Sequence, residues 1–148
     1  MKLKMISMVM ILGMIMGSSA TAGGCDTDEL CDIAGELRSF HIPYIRGAAD
    51  NVNCPGSYDE GARAFLEAAV APVKRAQTLL CASTPDLSEA QDEVKTARDL
   101  LRSTYTYFRR AITIDGCTDP DAAAARDRAY DAWAELNYMY IVLKYDCD

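Results

Sequence analysis

The chain has 148 residues, half of them hydrophobic, with 15 Lys+Arg against 22 Asp+Glu and a formal charge of −7. That length suits one domain, and the acidic balance excludes nucleic acid and anionic membrane surfaces as natural partners. Six cysteines, Cys25, Cys31, Cys54, Cys81, Cys117 and Cys147, point to three disulfides in an exported protein, because thiols pair and persist in oxidising compartments.

The amino terminus reads as a signal peptide over 1–22. Lys2 and Lys4 precede an apolar run at 5–16, and small residues fill 17–22, so cleavage is expected after Ala22. The run is about 12 residues long where a membrane span needs roughly 20, so no stable membrane anchor is expected. A lipid anchor on Cys25 is the competing reading, and it would leave one of the other five thiols unpaired. Removing 1–22 leaves 126 residues with 13 Lys+Arg, 22 Asp+Glu and a formal charge of −9; six of the seven methionines go with it. The remainder, 23–148, is expected to be a single disulfide-bonded helical domain, acidic, secreted or periplasmic, and monomeric.

Helical periodicity then runs almost unbroken. A first helix over about 28–52 carries Leu30, Ala34, Leu37, Tyr44, Ala48 and Val52 on one face. A second over about 58–81 carries Tyr58, Ala62, Phe65, Ala69, Val73, Ala76 and Leu80. Pro43 and Pro72 interrupt these two helices and leave the carbonyls of Ser39 and Ala68 without their usual donors. The third helix repeats at three and four residues through Leu87, Ala90, Val94, Ala97, Leu101, Thr104, Phe108 and Ala111. Thr84–Pro85 opens it, Ser88 and Gln91 have the spacing of a capping box, and Asp115–Gly116 closes it. The fourth begins with Asp119 as cap and Pro120 at the first position, and its stripe reads Ala129, Trp133, Leu136, Tyr140, Leu143, Cys147.

Four such stripes joined by short connections predict an all-α, antiparallel up-down-up-down four-helix bundle stapled by three disulfides. Alternating helix directions leave Cys54 and Cys117 alone at one end, so they are expected to bond. At the other end Cys31–Cys81 with Cys25–Cys147 is favoured, since the first two helices form a hairpin; Cys25–Cys81 with Cys31–Cys147 stays open.

The chemistry is mostly exclusion. Nucleophilic sites of the Ser-His or Cys-His type need an imidazole, and His41 is the only one. Zinc, di-iron and covalent haem spacings are absent, and the isolated glycines make no phosphate loop. No enzyme activity, no metal and no cofactor are therefore expected. His41 reads as a core residue bonded to a tyrosine or a carbonyl, with Met139 the one soft candidate for a second ligand. The stretch Cys81–Ala82–Ser83–Thr84–Pro85–Asp86–Leu87–Ser88 is similar to the cysteine-then-Leu-Ser segment of small secreted lysozyme-inhibitor proteins, over those eight residues.

Two binding functions follow as expectations. The first is a non-catalytic interaction module, or an inhibitor of another exported protein, with Tyr105, Tyr107, Arg109, Arg110 and Tyr138 on its docking face, residue types enriched in hot spots. The second is a carrier of a small apolar ligand, in a cleft that the proline kinks open and that His41, Tyr44, Phe65, Leu101, Trp133 and Leu136 line.

Overall fold

Three of the four helices begin at an aspartate whose side chain caps the first turn. In the computed structural model, which describes residues 24–147, Asp26 accepts from the backbone N–H groups of Asp28 and Glu29, both at 3.1 Å, to open helix α1 over 27–50. Helix α2 is Tyr58–Leu80, α3 is Leu87–Thr113 and α4 is Pro120–Tyr145. The signal-like segment 1–22 lies outside the described residues. Among those residues no helix is long and apolar enough to cross a membrane.

The cap of α3 differs from the sequence expectation. Asp86, not Ser88, holds the N-cap and accepts from Glu89 N–H at 3.0 Å. Asp86 and Glu89 have the three-residue spacing of a capping box one turn-fraction earlier, and a carboxylate also suits the positive end of the helix dipole. At the other end Gly116 takes the left-handed conformation (φ +69°), and Cys117 N–H reaches back to Ala111 O at 3.0 Å. Asp119 caps α4, accepting from Asp121 N–H at 2.9 Å and from Asn53 N–H at 3.2 Å, so one carboxylate also ties down the loop after α1.

The helices form the antiparallel up-down-up-down bundle. α2 lies along α3 and α3 along α4, while α1 changes neighbours part-way: its segment Thr27–Glu36 packs on α2 and its segment Ile42–Asp50 mainly on α4. The change falls at a wide π turn, Leu37–His41, closed by Ile42 N–H donating to Leu37 O. Pro43 follows at once. Having no N–H, it cannot continue the narrower ladder, and the extra residue in the turn absorbs the defect without breaking the helix. Pro72 is buried inside a continuous α2. Neither proline opens the hairpin.

Three disulfides hold the ends. Cys54–Cys117 closes one, and Cys31–Cys81 and Cys25–Cys147 close the other, with Cα atoms 4.8–5.0 Å apart. Cys25 is thereby committed to a bridge and not to a lipid.

The core follows the α3 stripe, where Ala90, Val94, Ala97, Leu101, Thr104, Phe108 and Ala111 are all fully buried. Thr104 satisfies its hydroxyl on Leu100 O at 2.8 Å. On α4 the expected stripe holds at Ala129, Leu136 and Leu143 and moves by one position at Trp133 and Tyr140, where Ala132 and Met139 are buried instead. Ala122, Ala125, Ala129, Ala132, Leu136, Met139 and Leu143 are buried, whereas Trp133 and Tyr140 are only half-buried beside them. Small residues at the seam let the helices approach closely, and the aromatic rings cover its edge, so Met139 is core and Trp133 is not.

Candidate functional site

On the outer side of α3 and α4 lies an open groove of about 460 Å³, lined by Tyr105, Arg109, Thr113, Arg126, Asp127, Tyr130 and Asp131. Helix periodicity builds it: Tyr105 and Arg109 are four apart on α3, as are Arg126 and Tyr130 on α4, so each pair shares a face. The Tyr105 and Tyr130 rings meet across the groove with centroids 5.4 Å apart, and Tyr130 continues onto Trp133 at 5.6 Å. Arg126 is paired with Asp127 at 2.9 Å. Arg109 is exposed and makes no ion pair among the described residues. A smaller hollow of about 220 Å³ near Lys74, Arg75, Thr78, Leu79 and Glu89 contains none of the residues singled out from the sequence.

The expected docking face divides between three places. Tyr105 and Arg109 belong to the groove. Tyr107 instead turns toward α2, edge-on to Phe65 at 4.9 Å and to Tyr58 at 5.6 Å, with the Arg110 guanidinium 5.6 Å above its ring. A glycine explains this corner: a Cβ on Gly61 would lie 2.6 Å from Tyr107 Cδ2, so only a bare backbone lets the ring settle against α2. Tyr138 lies on a third side, 46% exposed, where its hydroxyl donates to Glu29 Oε1 at 3.2 Å.

The expected ligand cleft is not assembled. Leu101 and Leu136 are sealed in the core at 0% and 1% exposure. Phe65 belongs to the Tyr107 corner and Trp133 to the groove edge. Tyr44 lies exposed under the Arg128 guanidinium at 4.7 Å. Close packing of the alanine-lined helices divides these six side chains between the core and separate surfaces.

His41 is a buried residue whose partner is neither a tyrosine nor a carbonyl. Its Nε2 stands 3.3 Å from Glu135 Oε2 of α4, a long ion-pair contact. The Glu135 carboxylate raises the imidazole pKa above its ordinary 6.5; burial and the Arg128 cation oppose this, and Glu36 adds to it. Glu36, His41 and Glu135 bring three ligating atoms within 4.8 Å of one another. Spacing could not reveal this group, because α4 supplies one member and the π turn aligns the other two.

The sign of the shift fixes a pH dependence. A histidine with a raised folded-state pKa contributes stability that is fully present below the unfolded value, near 6.5, and is lost as pH rises through the folded value. Replacing His41 with Gln should therefore cost more stability at about pH 5.5 than at about pH 8.5. Urea denaturation of both proteins with a chelator present reads this difference directly, and an equal cost at the two pH values would remove Glu135 as the dominant influence on His41.

No family model, curated protein or solved structure matches this chain. The functional reading therefore rests on the groove and its chemistry.

Proposed function

We propose that the protein is a non-catalytic binding module that acts on another exported protein through the groove between α3 and α4. One observation carries this reading: an open hollow pairs two touching tyrosines with an arginine that has no ion pair among the described residues, while side chains pack the bundle core. Tyrosine buries large area at low conformational cost, arginine adds a forked set of charged donors, and both are enriched in binding hot spots. Arg109 suits a carboxylate on the partner, and the Tyr105–Tyr130 pair suits an apolar side chain beside it. Asp127 and Asp131 on the opposite wall set the register by repelling a second acid. Three disulfides fit an oxidising, extracytoplasmic setting. The side chains expected to line a ligand cleft are not brought together, which favours the groove over a small-ligand carrier.

Affinity capture with the mature protein from its native exported fraction, followed by titration of the captured partner, tests the proposal. Tyr105→Ala and Arg109→Glu should each weaken the complex by at least about tenfold. Tyr138→Phe, on another side of the bundle, should leave it unchanged. Equal affinity for all three variants would place the docking surface elsewhere.

A further inference from the structure

The geometry points to a divalent transition-metal site, best suited to zinc, formed by His41 Nε2 and the carboxylates of Glu135 and Glu36. The first argument is distance. Zinc bonds of about 2.0–2.1 Å at tetrahedral angles separate two ligand atoms by about 3.3 Å, and His41 Nε2 and Glu135 Oε2 are 3.3 Å apart. Octahedral magnesium would need about 2.9 Å, and magnesium and calcium both prefer all-oxygen shells. An imidazole with carboxylates is a borderline donor set of the kind zinc accepts.

The second argument is the state of the polar atoms. The His41 side chain is only 9% exposed. Glu135 Oε2 is buried too, and the ring nitrogen facing it is 3.3 Å away, a long contact for a hydrogen bond. Buried polar atoms are normally satisfied. Two facing ligand atoms held slightly farther apart than an ordinary N–H···O bond are placed to share a third centre.

The third argument is the backbone. Residues five apart in an α-helix lie roughly 140° apart around the axis, so Glu36 and His41 would face different ways. The π turn Leu37–His41, closed from Ile42 N–H to Leu37 O, brings residues five apart toward one side. The same irregularity that accommodates Pro43 thus turns Glu36 toward His41. Glu36 is exposed and has the rotamer freedom to close the remaining gap. Three protein ligands leave the fourth tetrahedral position to water, and the site lies outside the α3/α4 groove.

The test uses tag-free, mature protein with its three bridges intact, since the described chain then holds no free thiol to compete for metal. Zinc chloride titrated by calorimetry should bind one equivalent. The single imidazole gives one set of ring resonances, and these should shift in step with the calorimetric saturation. His41→Gln should weaken that binding by at least about 100-fold, Glu135→Gln by at least about tenfold, and Glu36→Gln less steeply. Glu36→Gln alters an exposed side chain and so leaves folding intact, which keeps the test decisive if a core variant unfolds. Zinc binding that leaves the His41 resonances unmoved, affinity unchanged by Glu36→Gln, or no binding at all would overturn the assignment.

Discussion

Reduction of the three disulfides should lower the melting temperature by well over about 10 °C. Twelve of the 28 buried hydrophobic residues are alanines, so the core contributes less per residue than one built from leucine and phenylalanine. The bridges span 122, 63 and 50 residues, and in the chain-entropy account each cross-link of such length constrains the unfolded state by about 4–5 kcal/mol, with less realised when all three act together. In a domain of this size each kcal/mol moves the midpoint by about 4 °C. Thermal circular dichroism with and without reductant reads the effect. Helical signal and midpoint that both survive reduction would mean that the alanine-rich seams hold the bundle by themselves.

Phe108→Ala should cost about 3–5 kcal/mol, the usual penalty for emptying a large buried aromatic site. Phe108 is 0% exposed on the central stripe of α3, and its rigid neighbours cannot collapse into the space. Trp133→Ala should cost less, under about 2 kcal/mol, although tryptophan is the larger residue. Its ring lies half-buried at the groove edge against Tyr130, with water on one side. Urea denaturation of the two variants ranks them. A greater loss at Trp133 would return the tryptophan to the core and shift the α4 seam with it.

That contrast shows which parts of the fold are readable from residues. The α3 stripe is legible because valine, leucine and phenylalanine recur at three and four residues against charged neighbours, so one face stands out. On α4 the contrast is weak. The seam positions Ala122, Ala125, Ala129 and Ala132 are alanines, which suit a surface as well as a core, and the large rings of Trp133 and Tyr140 draw the inferred line one position sideways. Cysteine placement and most helix ends were readable for a different reason: bridges follow helix direction and caps follow local chemistry, the exception being α3, where Asp86 takes the cap in place of Ser88.

The groove was half legible. Tyr105 and Arg109 stand out as off-stripe residues of hot-spot type, but Tyr107 and Arg110 satisfy the same criterion and lie on another side. The missed signal is the pair of four-residue repeats, Tyr105 with Arg109 and Arg126 with Tyr130, which place matching faces on adjacent antiparallel helices. The grouping at His41 was not legible at all. It depends on a π turn that shifts the phase of α1 by one residue and on a carboxylate from α4, and periodicity registers neither. The short likeness at 81–88 spans the linker and the start of α3, away from both places.

Site-specific photo-cross-linking in the native exported fraction tests the central claim most directly. A photoreactive residue at Thr113 or Tyr130, both in the groove, should give an adduct with one and the same exported protein. The same residue at Ala71 on α2 or Thr96 on α3, both exposed but outside the groove, should give none. Adducts confined to Ala71 or Thr96, or no adduct from any of the four positions, would contradict a binding function of the α3/α4 groove.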